Sequence, residues 1–536
     1  MERLKPSLEK HVGCDIVDIN PGVAVWSTKL HQFLKPRNHI LLEPDDKLYN
    51  QFLKPLLDAP DSKYTLIPKS GIVWRQLEEV LTENNLPFQK AYEPNDPQLE
   101  EPNNTLLVVA NLGFHPRKPY RGFESIASLV LHQLLDSVRS HSLFQRYGLV
   151  RMLIWVGDGE QTKVLPKTIN QRRKSCVEAE ITCGSIREIA SSTHFSQKNC
   201  IAELAGIDEI LKKMELRGIT TPSNRASDTL RELKKPEGTG SKNVKFSKEF
   251  LAKLADLEER FRTGKIKKNL DDSHLVNTDT QSGIRLLSTP EYALLCNYRR
   301  QRKSGQSIPN KTQALVDEYI LITGLQRAWF LARSQTEKDT LMESITVRRQ
   351  ALHDELESHD PAKIKIVTGL VDSSQASQID PPLLLWESRD NEPLKVHPSE
   401  FYPAQEMALL DLQPKALWSI LRKDYPNNYE TFHFLLGQLM VAPRQPLKRG
   451  LEALAPGAFE WLIERCPLLT DPTRGGTLDT NDFRVRNLTT DMLRQMIEAW
   501  VDWPFKPSRY ELIARAGSSV FDPDSLDDGL GGGGTI

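Results

Sequence analysis

The chain has 536 residues, 39% of them hydrophobic and 26% charged, with a formal net charge of -1 at pH 7. That length is enough for two or three domains with buried cores, in the composition of an ordinary soluble globular protein. No run approaches the roughly 18 apolar residues that a bilayer helix needs, and a near-neutral total neither supports nor excludes a nucleic-acid partner.

The amino terminus, 1–13, carries Glu2 and Glu9 and no Arg-rich amphipathic run, so it matches neither a secretory signal nor a mitochondrial presequence. The six cysteines are widely spaced, with no CxxC pair and no Cys/His set at zinc spacing, which reads as reduced thiols and no metal. Strand-like runs then alternate with helix-like ones, the mark of a parallel sheet covered by helices. Strands are expected at Asp15–Ile19, His39–Glu43, Lys63–Ile67, Thr105–Asn111, Val150–Val156 and Cys176–Cys183, six or seven in the sheet. Helices are expected near Val23–Leu34, Asp46–Leu57, Ile72–Leu81 and Phe123–Ser140. This unit spans 12–200.

From 201 to 380 the sequence turns polar and helix-favouring, and Ser223–Leu270 holds 13 Lys/Arg against 7 Asp/Glu. It reads as a large, basic, partly helical and partly mobile insertion. Its runs, Arg299, Arg300, Arg302 and Lys303 among them, could track phosphates or form a solvated helix face. Late strands are expected in 381–414, from LLLWESR (Leu383–Arg389) and FYPAQEMALLDLQP (Phe401–Pro414). Helical periodicity follows in 415–512, where Phe432, Leu435, Leu436, Leu439 and Met440 are spaced to face one core. The tail, 513–536, with Asp522, Asp524, Asp527, Asp528 and four consecutive glycines, is too polar to order itself.

Three segments carry the candidate site. DINPGVAVWS (Asp18–Ser27) follows an apolar strand and opens a helix, so its Gly22 turn lets backbone N–H groups approach a ligand. In HILLEPD (His39–Asp45), Glu43 ends the second strand 21 residues after Gly22, where an acidic side chain can take both hydroxyls of a ribose. In LLVVANLGF (Leu106–Phe114), Asn111 ends a buried strand and could offer its carbonyl to a base amino group, with Phe114 as a stacking face. Each has a plain structural reading too, as a turn, a helix cap and a strand-end hydrogen bond; their order and spacing raise the joint reading.

DINPGVAVWS resembles the first methyltransferase motif of the rRNA adenine N6-dimethyltransferase family, and ANLGF resembles its Asn-Leu-Pro-Tyr motif. LFQRYGLVRMLIWV (Leu143–Val156), with Arg172, Arg173, Lys174, Ser175 and Cys176, is similar to the fungal mitochondrial transcription factor B branch of that family. FYPAQEMALLDLQP, Phe432–Leu454 and WPFKP (Trp503–Pro507) resemble its later segments, so the resemblance covers about 12–200 and 381–512. It implies an α/β fold: a Rossmann-like class I methyltransferase sheet with a C-terminal helical domain, here carrying a large polar insertion. It also implies an S-adenosyl-L-methionine site at Asn20, Gly22, Glu43 and Asn111, with Asn111 and Phe114 catalytic only if the protein is active.

The sequence departs from that pattern in four places. Asn20 and Ala24 stand where the family has glycine, Gly113 and Phe114 replace Pro-Tyr, IPKSG (Ile67–Gly71) lacks the carboxylate expected after the third strand, and only 14 residues precede the first strand. These changes favour a vestigial cofactor site. The resemblance then implies a monomeric, non-catalytic mitochondrial initiation factor that helps a single-subunit mitochondrial RNA polymerase hold melted promoter DNA. That role needs a basic groove with aromatic platforms; Arg117, Lys118, Tyr120 and Arg121 form one candidate cluster, and Trp155 with Arg172, Arg173 and Lys174 a second. The alternatives are an active enzyme acting on rRNA and a scaffold working through the insertion. No membrane partner is expected.

Overall fold

In the computed structural model the described residues are 1–113, 119, 123–192, 207–234, 246–270, 288–305, 308–379, 381–508 and 511–512. Eight strands form one sheet in the order β3-β2-β1-β4-β5-β8-β6-β7. They are β1 Asp15–Ile19, β2 Asn38–Leu42, β3 Tyr64–Ile67, β4 Pro102–Asn111, β5 Leu149–Gly157, β6 Cys183–Ser191, β7 Leu394–Lys395 and β8 Met407–Pro414. The first five are parallel, while β8 runs antiparallel between β5 and β6. Strands covered on both faces need continuous apolar runs, and every residue of β1 is buried. One sheet face packs Val17, Ile40, Val108, Met152 and Leu410 into the largest core; the other packs Ile16, Leu107, Val109 and Leu153. The protein is thus a Rossmann-like α/β sheet joined to a helical unit.

Helices Val25–Leu34, Asp46–Leu57, Trp74–Val80 and Ile126–Ser140 fall where the periodicity places them. Two expected strands do not form. Cys176–Cys183 is almost entirely the helix Lys174–Thr182, wedged between the sheet core through Ala179 and the helical core through Val177 and Ile181. Burial on both sides erased the polar face that would have marked a helix, and β6 starts only at Cys183. Leu383–Arg389 contains a 3-10 turn, Leu385–Ser388, shaped by Arg389, which lies 4.0 Å over the Trp386 ring and pairs with Glu392. The sheet edge belongs instead to two-residue β7, and among the described residues the sheet has eight strands rather than six or seven.

Within the insertion, long helices run over Lys248–Arg262, Pro290–Ser304, Asn310–Leu331, Gln335–Glu357 and Pro361–Gln378. They enclose their own apolar clusters, one around Leu315, Val316, Ile345 and Val367, another around Phe250, Leu257 and Leu295. Arg299 faces Glu258 at 3.4 Å, and Arg300 reaches Ser377, so these two basic residues have partners inside the insertion. The C-terminal helices gather Phe432, Leu435, Leu436, Leu439 and Met440 into one core with Leu451, Met496 and Trp500. No helix among the described residues is long and apolar enough to cross a membrane. The tail at 513–536 lies outside the described residues.

Candidate functional site

Strand order reverses between β1 and β4, so the loops leaving their carboxyl ends diverge and open a crevice, the usual ligand position in such sheets. Gly22, Glu43 and Asn111 meet there. The Gly22 backbone N–H donates to Glu43 Oε2 at 2.9 Å, and the Asn20 side-chain amide donates to the Asn111 carbonyl at 3.1 Å. The three loops thus meet at one point.

The turn after β1 keeps an unusual backbone. Asn20, Gly22 and Ala24 all have positive φ, at 54°, 56° and 57°. Asn tolerates that region; for Ala24, which is fully buried, it costs roughly 1–2 kcal/mol. The turn thus holds a glycine-favouring conformation at two positions that are not glycine. The helix Val25–Leu34 stacked on the turn and the bond from Ala24 N to Pro21 O at 2.9 Å hold it in place.

Glu43 serves its own loops. It is 3% exposed, and its second oxygen accepts from the Asp45 backbone N–H at 3.1 Å. Burial pushes its carboxyl above the ordinary value, against the pull of the Gly22 and Asp45 amides. Nearby, the Asn111 side-chain oxygen accepts from Gly113 N at 3.1 Å. Both Glu43 oxygens are thus engaged by backbone N–H groups of their own loops, while the Asn20 side chain bridges the gap from β1 to β4.

An aromatic row, of which the sequence singled out only Trp155, runs beside Asn111. Trp155, its register partner on β5, meets Trp26 edge-on at 5.9 Å and Phe401 at 5.3 Å. The next residue, Tyr402, is fully exposed. Gln405 ties this segment to the crevice by donating to the Gly113 carbonyl at 2.7 Å. Burial, then the carboxylates of Glu43 and Asp45 and the Tyr402 phenol, push the Tyr49 phenol above its usual value, and Tyr49 lies against the Gly22 turn. Tyr49 thus stands at the Gly22 turn, and exposed Tyr402 follows Phe401 at the end of the aromatic row. The segment FYP was visible in sequence as a strand approach; a lone Tyr next to a Pro gives no sign of exposure.

The two sequence-derived basic clusters fare differently. Phe114, Arg117, Lys118, Tyr120 and Arg121 lie outside the described residues. The second cluster is not one surface. Trp155 packs on the sheet face of Ile16 and Leu153, whereas Arg172 sits on the opposite side against the C-terminal helices. Arg172 is fully buried; it forks onto Glu180 at 3.0 and 2.6 Å and donates to the Arg486 and Leu488 carbonyls at 2.7 and 2.8 Å. With its donors so engaged it offers nothing to a phosphate, which corrects its assignment to nucleic acid. Lys174 is half-buried at 2.9 Å from His433 Nε2, and burial lowers its ammonium pKa. Arg173 is exposed.

Fold and crevice define a class: a Rossmann-like α/β protein with a helical unit, whose crevice at the β1–β4 switch point holds a left-handed turn and a buried, inward-facing Glu43. No protein-family profile matches the chain. Among curated proteins it is similar to mitochondrial transcription factor 1 of Saccharomyces paradoxus, 24% identical over 193 residues, 36% of this chain and 49% of that protein. The Lachancea kluyveri protein of the same name is 23% identical over 200 residues, 37% and 53% of the two chains. That of Saccharomyces cerevisiae is 23% identical over 193 residues, 36% and 49%. The matched region spans about half the length of these curated relatives.

Proposed function

We propose that this chain is a mitochondrial transcription factor that assists a single-subunit mitochondrial RNA polymerase in melting promoters, and that it derives from an rRNA adenine N6-dimethyltransferase without using the cofactor. The names of its relatives support a mitochondrial transcription factor. That the cofactor goes unused rests on one observation: Glu43, the ribose-binding position, is buried and bonded to Gly22 and Asp45, while Tyr402 is fully exposed. An unstacked base needs an aromatic face and a basic track for its phosphates. Tyr402 supplies the face, Arg173 is an exposed cation, and the sequence run with Arg117, Lys118, Tyr120 and Arg121 supplies further basic and aromatic side chains. Mitochondrial location follows from the same reading.

Fluorescence anisotropy with premelted and duplex promoter DNA tests this. Tyr402→Ala is expected to weaken premelted DNA by about 1–3 kcal/mol, the worth of one stacked base, with duplex little changed. The triple charge reversal of Arg117, Lys118 and Arg121 to Glu is expected to weaken premelted DNA more than duplex as well. Equal binding by variants and parent would reject the interface.

One observation favours a second reading, methyl transfer to an rRNA adenine with Asn111 and Phe114 at the base: the left-handed turn at Asn20, Gly22 and Ala24 survives. Titration calorimetry with S-adenosyl-L-methionine separates the two. Engaged Glu43 oxygens lead us to expect no binding tighter than about 1 mM; a micromolar constant with methylation of an adenine-containing RNA hairpin would establish the enzyme.

A further inference from the structure

The turn that leaves β4 is tied to the segment that enters β8. Gln405 donates from Nε2 to the Gly113 carbonyl at 2.7 Å, joining two points 292 residues apart. Met407, the first residue of β8 and 1% exposed, is fixed beside them. Its N–H donates to Ser192 Oγ at 3.1 Å, and its carbonyl accepts from the Ser192 N–H at 2.9 Å.

Gly113 is what lets the two segments close. Its φ lies outside the left-handed region, so the backbone of the turn does not itself call for glycine. Space does. A Cβ at 113 would lie 2.7 Å from Met407 Sδ, closer still to Met407 Cε, and 3.0 Å from Gln405 Nε2, all inside the roughly 3.5–4.0 Å of ordinary contact. Buried Met407 has no solvent to swing into, so a side chain at 113 would push the segments apart and strip the tie.

This tie fixes one side of the exposed Tyr402. On the other side Phe401 packs edge-on against Trp155 at 5.3 Å, and Trp155 against Trp26 at 5.9 Å. Between Phe401 and Gln405, both half-buried, the residues Tyr402, Pro403 and Ala404 are all exposed. A phenol that faces solvent from backbone held on both sides is ordered before anything covers it, and ordering done in advance raises affinity without adding contacts.

We propose that Gln405, Gly113 and Met407 are positioning residues that hold Tyr402 for stacking on an unstacked base of single-stranded nucleic acid. They act through the placement of the phenol rather than by touching the base. The proposal rests on the stacking role given to Tyr402 above.

Fluorescence anisotropy of the full chain with premelted promoter DNA, run as a double-mutant cycle, tests it. Gln405→Glu keeps the shape of the side chain and removes the donor. It is expected to melt with the parent and to weaken the DNA about fivefold, within the range for residues coupled through a shared backbone shift. In the Tyr402→Ala background the same change is expected to cost nothing further, because no phenol is left to place; a merely structural role would not show that dependence. Gly113→Ala, which breaks the tie from the β4 side, is expected to weaken the DNA with the same dependence on Tyr402. If Tyr402→Ala weakens binding while Gln405→Glu binds as the parent does, or if either loss is undiminished in the Tyr402→Ala background, the proposal is overturned and the stacking role stands. Parent-like binding by Tyr402→Ala would overturn the stacking role, and this proposal with it.

Discussion

Asp411→Ala is expected to destabilise the sheet by about 3–5 kcal/mol, the usual cost of stranding buried charge. Asp411 lies on β8 and is fully buried. It takes the Arg151 guanidinium in a fork at 2.8 and 2.8 Å from β5 and Arg187 at 2.5 Å from β6. Arg151 also donates to the Ser7 carbonyl at 2.6 Å, so one carboxylate holds three strands and the amino-terminal segment. Burial alone would raise its pKa; the two guanidiniums outweigh burial and hold it below the ordinary carboxylate value. With the folded pKa below the unfolded one, the stabilisation is complete above the unfolded pKa, about 4, and is lost as pH falls through the folded value. Denaturant melts should show the parent losing stability in acid and the variant already lacking it at neutral pH. A loss under about 1 kcal/mol, the worth of an exposed pair, would contradict this account.

Arg172→Ala should be comparably damaging, again about 3–5 kcal/mol, and for the same reason should leave DNA affinity of the folded protein unchanged. The substitution strands Glu180, 3% exposed, and two carbonyls of the C-terminal unit. Because Arg172 bridges the helix Lys174–Thr182 to residues 486 and 488, limited proteolysis should release the C-terminal helices earlier in the variant. Arg173→Ala, next door but exposed, is the control and should melt with the parent. If Arg172→Ala kept full stability and lost premelted DNA, the buried assignment would fail.

Neighbours in sequence, Arg172 and Arg173 show where reading from sequence stops. A basic run looks the same whether it faces phosphate or is buried, since the acceptors that decide the matter lie 314 and 316 residues away. Strands β1 to β5 were legible because continuous apolar runs ended by turn residues have few alternatives. Convergence of Gly22, Glu43 and Asn111 was legible too, since strand order dictates it. What Glu43 does there was not, because an acidic residue after a strand can face a ribose or cap its own loop. The helix Lys174–Thr182 was misread because contact on both sides left it no polar stripe.

Run-off transcription with a purified single-subunit mitochondrial RNA polymerase, on a duplex promoter and on the same promoter premelted around its start site, tests the central claim most directly. The account predicts that adding this chain raises product from the duplex and leaves product from the premelted template unchanged. No gain on the duplex, or an equal gain on both templates, would contradict it.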